Sequence, residues 1–249
     1  MPDSLLYVRN LVKNFGALKA SDGIDFDVAE GETHGVIGPN GAGKTTFISQ
    51  LAGNLRPDAG TVRFAGADVT ALSAPRRARM GLARSFQITS VYPEFSALDN
   101  VALAVQARSG HSFRFWRPAR RDVTLIEPAE RVLDEVGLFQ RKNVLAANLA
   151  HGEQRQLEVA MALATNPRLL LLDEPMAGMG TEESQRMIEL LSKLKQKKTI
   201  ILVEHDMDAV FRLADRISVL VYGRVIATGT PEKIKMNEEV RKAYLGEEV

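Results

Sequence analysis

The chain has 249 residues, 45% hydrophobic and 25% charged, the proportions of an ordinary globular protein long enough to bury a sizeable core. Thirty-two Lys+Arg against 31 Asp+Glu leave a formal charge of +1, so no whole-molecule basic bias points to nucleic acid. The absence of cysteine excludes disulfides and thiolate zinc sites and fits a reducing compartment. The longest apolar runs, 169–172, Thr199–Val203 and 217–222, are far short of the roughly 20 residues of a membrane-spanning helix. The start, MPDSLLYVRN, lacks the pattern of a secretory signal, so a soluble intracellular chain is expected.

In chain order, Leu5, Tyr7 and Leu11, then Ile24, Phe26 and Val28, alternate as short half-buried strands separated by Asn10, Gly16 and Asp22. Thr33–Ile37 reads as a compact strand, followed by a glycine-rich turn and a helix over 44–55. Pro57-Asp58-Ala59-Gly60 is a turn signal, with a strand returning over 61–64. From about residue 90 to 165 helical periods dominate, as in Val132, Leu133 and Val136, then Leu157, Ala160 and Leu163. Strand and helix then alternate again: a buried strand at 169–172, a helix capped by Thr181, a strand at Thr199–Val203, a helix at 207–214 and a strand at 217–222 turning at Gly223. Thr230-Pro231 opens a final helix. The pattern predicts an α/β fold with an inserted helical lobe, in one domain spanning 1–249 with the lobe at about 90–165.

Two motifs carry chemistry. Gly38-Pro39-Asn40-Gly41-Ala42-Gly43-Lys44-Thr45, continuing into Thr46, matches G-x-x-x-x-G-K-[ST] between a strand and a helix. Such glycines turn successive N–H groups toward a phosphate, and the helix N-terminus adds positive potential. Lys44 would reach the β- and γ-phosphates, and the Thr45 hydroxyl would sit on Mg²⁺. The second motif is the buried strand 169–172 ending in Asp173-Glu174. Ligands of doubly wound sheets sit at the carboxyl ends of strands. Asp173 would there hold Mg²⁺ and Glu174 would polarise an attacking water.

The order of phosphate loop, Gln87, a glycine-bearing segment at 149–154, Asp173-Glu174 and His205 resembles the ATP-binding subunits of ABC transporters over nearly the whole chain. The resemblance implies a P-loop, RecA-like core with an N-terminal antiparallel β subdomain and an inserted helical subdomain. It also implies two such subunits sandwiching two ATP molecules, each held by one chain's phosphate loop and its partner's signature segment. By position, Phe15 would stack on adenine, Gln87 would touch Mg²⁺ and the attacking water, and His205 would contact the γ-phosphate. Ala150, His151, Gly152 and Glu153 would act in trans on the partner's nucleotide. Two positions depart from the family pattern: Ala150 lacks the usual signature hydroxyl, and Gly180 stands where an aspartate usually supports communication between subunits.

LAHGEQRQLEVAMALA, EPMAGMG, the ending VRKAYLG, and ARSFQ followed by ALDNV resemble the branched-chain amino-acid importer class. That class implies a second ATP-binding subunit (identical or different), two membrane subunits and an external binding protein, with this chain on the cytoplasmic face of the inner membrane. The lipopolysaccharide-exporter ATPases are the alternative; a soluble ABC protein acting on nucleic acid is disfavoured by the single ATPase unit and the absence of sustained heptads. The segment 108–121, RSGHSFRFWRPARR, has five arginines and no acid, and reads either as a contact with membrane subunits or headgroups, or as a solvated insert.

Overall fold

The computed structural model describes residues 4–85, 91–109 and 122–245. The elements run β1 (Ser4–Phe15), β2 (Leu18–Ala29), β3 (Thr33–Ile37), α1 (Lys44–Ala52), β4 (Ala59–Phe64), β5 (Ala67–Asp68), α2 (Ala74–Arg79), β6 (Leu82–Arg84), α3 (Ala97–Ser109), α4 (Val123–Glu135), α5 (His151–Ala164), β7 (Leu169–Asp173), α6 (Thr181–Lys195), β8 (Thr199–Val203), α7 (Met207–Leu213), β9 (Arg216–Val221), β10 (Arg224–Gly229), α8 (Pro231–Lys235) and α9 (Glu238–Leu245). One sheet is antiparallel in the order β2-β1-β4-β5; the other has the order β10-β9-β3-β8-β7-β6. In the second sheet only β10 is antiparallel to its neighbour.

The larger sheet is the middle layer, which explains its continuous apolar strands. Leu170 and Leu172 of β7, with Ile200 and Leu202 of β8, face a core shared with helices α3 to α7. Leu169 and Leu171, with Ile201 and Val203, face the opposite core, where α1 and the antiparallel sheet pack through Phe47, Ile48, Val8 and Phe64. Alternate side chains of one strand therefore serve two cores.

Several boundaries differ from the sequence expectation, each for a local reason. Asn10 does not end β1; it sits in a bulge at φ 46°, its N–H donating to Asp25 Oδ1 at 2.7 Å. Gly16, at φ 60°, does make the turn, whereas β2 runs straight through Asp22. Helix α1 stops at Ala52 rather than Leu55 because Gly53 takes the left-handed cap conformation at φ 82°. Thr181 is the first helical residue of α6, and Gly180 is its N-cap. The final helix is two: α8 ends at Lys235, and the Asn237 Oδ1 accepts from the N–H groups of Glu239 and Val240 to start α9. Strand β6 and helix α2 were not expected; three residues are too few to show a period.

Helix α1 is also closed from outside. Arg77 is 1% exposed and its Nη1 donates to Gln50 O and Leu51 O at 2.7 Å each, while Nε and Nη2 donate to Leu72 O and Thr70 O at 3.1 Å. Burial pushes its guanidinium down to about 10, opposed by Asp68, so it remains charged at neutral pH. Arg77→Met strips the donors from these buried carbonyls, each worth about 1–3 kcal/mol when orphaned. The expected loss is about 3 kcal/mol or more, read as a lower urea midpoint in equilibrium unfolding. An unchanged midpoint would contradict this role.

Candidate functional site

The phosphate loop leaves β3, a strand buried along its full length, and enters α1. It is wedged between β2 and the β9–β10 turn. The Gly223 N–H donates to Ala42 O at 2.9 Å, and the Asp22 N–H donates to Gly223 O at 2.8 Å. This closeness explains two of its glycines. A Cβ on Gly38 would lie 2.1 Å from Leu220 O, and one on Gly43, at φ 100°, would lie 2.2 Å from Ala20 O. Pro39 and Gly43 are half-buried, Ala42 is buried, and Asn40 and Gly41 are exposed at the loop tip.

Lys44 is 7% exposed, and its Nζ donates to Gly38 O at 2.5 Å and Pro39 O at 3.1 Å, which places the ammonium inside the loop. Burial pushes its pKa down; Glu174 and then Asp173 oppose that shift, so both carboxylates reach the lysine electrostatically. Thr45 is exposed and Thr46 half-buried in the first turn of α1.

Asp173 ends β7 and is 2% exposed. Its Oδ2 accepts from Arg84 Nη2 at 2.8 Å, and Arg84 Nη1 also donates to Ser49 Oγ of α1 at 3.2 Å. Among the described residues its buried Oδ1 has no partner. An orphaned, buried carboxylate oxygen beside a phosphate loop suits a hard cation, and the Thr45 hydroxyl offers a second oxygen. Among the described residues no group of three or more His, Asp or Glu could hold a metal by itself.

Glu174 follows in the left-handed region at φ 49°, half-buried, its N–H donating to Val203 O at 2.9 Å. His205 stands after the neighbouring strand β8 with its side chain 63% exposed. Phe15, at the end of β1, is 49% exposed with Lys13 Nζ 5.7 Å from its ring centroid, so it is no core residue. Phosphate loop, Asp173, Glu174 and His205 thus converge at the carboxyl ends of β3, β7 and β8. Gln87 lies outside the described residues, as do residues 110–121 of the basic segment.

The segment 150–153 opens α5 beside the loop that follows Glu174: a Cβ on Gly178 would lie 3.3 Å from the His151 ring. Ala150 is its N-cap, and the Glu153 Oε2 accepts from the Ala150 N–H at 2.9 Å. Arg141 pairs with Glu153 at 3.1 Å, and the Gly152 N–H donates to Glu183 Oε1 at 3.2 Å. A Cβ at position 152 would sit 2.8 Å from the Glu183 carboxyl carbon, so glycine there admits the acid. His151 is exposed. Sequence reasoning missed Arg84, Glu183 and Glu204 as neighbours of the site. Arg84 and Glu204 did carry a signal in their closeness to Gln87 and His205.

The ABC transporter family matches residues 21–177, and the branched-chain amino acid ATP-binding cassette transporter family matches 224–249. The chain is 39% identical to the high-affinity branched-chain amino acid transport ATP-binding protein BraF of Pseudomonas aeruginosa, over 99% of this chain and 100% of that one. It is 37% identical to LivG, the protein of the same description from Escherichia coli K12, again over 99% and 100%. The lipopolysaccharide export ATP-binding protein LptB of Haemophilus influenzae is more distant, 30% identical over 98% of each chain. An ATP-binding cassette of an ABC transporter, MJ1267 in its ADP conformation, superposes with a TM-score of 0.87 at 30% identity, covering 98% of this chain and 99% of that one. With a phosphate loop, an acidic strand end and a histidine gathered at the carboxyl ends of neighbouring strands, and relatives matched end to end, the chain belongs to the ABC transporter family as one of its ATP-hydrolysing subunits.

Proposed function

We propose that this chain binds Mg-ATP at Gly38–Thr46 and spends its hydrolysis on driving a membrane importer for branched-chain or related amino acids. The observation that carries the site reading is Lys44, its ammonium held inside the loop on Gly38 O and Pro39 O and within electrostatic reach of Glu174 and Asp173. The substrate class is supported by the identity to BraF and LivG over the full length of each.

In this reading the loop N–H groups and Lys44 bind the β- and γ-phosphates, and Phe15 stacks on adenine. Thr45, Asp173 and Gln87 would hold Mg²⁺, which when bound neutralises charge on the phosphate oxygens. Glu174 orients and polarises the attacking water, and His205 contacts the γ-phosphate. Ala150, His151, Gly152 and Glu153 complete the nucleotide site of a second ATP-binding subunit, identical or different, using the N-terminus of the 14-residue α5.

Two membrane subunits and an external binding protein are the further partners, with this chain peripheral on the cytoplasmic face of the inner membrane. Among the described residues no helix is long and apolar enough to cross a membrane. A groove between α3 and α4, lined by Phe95, Ala102, Leu103, Leu125 and Ile126 with Asp99 and Gln106 beside them, offers a largely apolar seat for a membrane subunit's cytoplasmic helix. Its rim includes Phe95, 39% exposed. The test is uptake of labelled leucine by cells lacking the chain. Wild-type protein is expected to restore uptake and Glu174→Gln to fail; full uptake without the chain would overturn the substrate class.

A further inference from the structure

The loops that carry Glu174 and His205 are joined by one buried side chain. Glu204 follows β8 directly and is 0% exposed. Its Oε1 accepts from the Met176 N–H at 2.9 Å. Its Oε2 accepts from the His205 N–H at 3.1 Å and lies 3.6 Å from the His205 Nδ1. The last distance is too long for a hydrogen bond. It still sets the carboxyl group beside the ring, the ring's acidic neighbour among the described residues.

The first of these contacts matters because of what precedes Met176. Glu174 sits at φ 49°, a conformation costing an L-residue about 1–2 kcal/mol, which persists only where the surroundings hold it. Pro175 has no N–H to offer. The turn is therefore tethered at two points, one on either side of the proline: the Glu174 N–H on Val203 O, the last residue of β8, and the Met176 N–H on Glu204 just after it. Adjacent residues of one strand end thus fix the strained turn of Glu174, and the second of them also holds the next residue, His205.

We propose that Glu204 is a positioning residue for hydrolysis, a single buried carboxylate that sets the placement of Glu174 relative to His205. Fully buried, it acts through the Met176 N–H and through His205. Burial pushes its carboxyl above the ordinary glutamate range, with the Met176 and His205 N–H groups opposing that shift. In either protonation state the two acceptor oxygens remain for these backbone donors. The inference rests on the roles proposed above for Glu174 and His205.

Two variants separate positioning from folding. Glu204→Gln keeps a carbonyl for the Met176 N–H but turns an amide donor toward the His205 N–H, while Glu204→Leu removes both acceptors. The readouts are the Mg-ATP dissociation constant and the single-turnover rate of phosphate release per bound ATP. The expected rate falls about tenfold in Glu204→Gln and about a hundredfold in Glu204→Leu, the scale of ångström misplacement of a reacting group. The dissociation constant should move less than about threefold in either, because the phosphate loop is untouched. A merely structural role would lower the fraction of protein that binds ATP, leaving the rate per bound ATP at its wild-type value; that outcome overturns the proposal. Glu204→Gln, nearly isosteric, keeps the test open if the leucine variant does not fold. Glu174→Gln run alongside separates the two layers: if it turns over normally, the reading of Glu174 fails, whereas its loss of turnover beside normal Glu204 variants defeats this inference alone.

Discussion

Glu174→Gln is expected to bind Mg-ATP as tightly as the wild type and to release phosphate at least about a hundredfold more slowly. The substitution keeps shape and removes only the charge proposed to polarise water. The backbone cause of the residue's placement, the N–H donated to Val203 O at 2.9 Å, is unaffected. Glutamine accepts φ 49° with the same strain as glutamate, so the turn does not need to move. Lys44 loses the larger of its two carboxylate neighbours' fields but keeps Asp173. Binding measured by nucleotide fluorescence and hydrolysis by phosphate release check the two halves separately. Turnover near wild type would remove Glu174 from the reaction.

Lys44→Ala is expected to fail earlier, at binding. The ammonium lies inside the loop on Gly38 O and Pro39 O, where it is positioned to meet phosphate oxygens. A hydrogen bond to a charged group is worth about 1.5–3 kcal/mol, so ATP affinity should fall roughly ten- to a hundredfold or more. Burial lowers the pKa of Lys44, while Glu174 and then Asp173 oppose that shift and favour the charged form. Titration with ATP at constant Mg²⁺ checks the effect. Unaltered affinity would place the phosphates elsewhere.

The parts of this protein legible in its sequence are those whose reason is local. The phosphate loop is readable because close approach at Gly38 and Gly43 demands glycine at fixed spacing. Strands β7 and β8 are readable because burial on both faces writes an unbroken apolar run. What escaped depends on partners distant in the chain. Arg77 closes α1 from 26 residues away, and Arg84 reaches Asp173 across 89. Glu204 meets Met176 across 28 residues, and Glu183 meets Gly152 across 31. Composition cannot tell such a residue from any surface charge. The β1 bulge escaped for another reason: an asparagine in the left-handed region looks like a turn until its N–H is found on Asp25. The signature segment was legible only through family resemblance, since its proposed ligand belongs to another chain.

The proposed site closes across two subunits around ATP. Its most direct test is the solution mass of Glu174→Gln protein with and without Mg-ATP, alone and mixed with the importer's other ATP-binding chain. The expected result is an ATP-dependent shift from the 27.4 kDa monomer to about twice that mass, by self-pairing or with the second chain. Protein that binds Mg-ATP yet stays monomeric in both samples would contradict the placement of residues 150–153 on a partner's nucleotide.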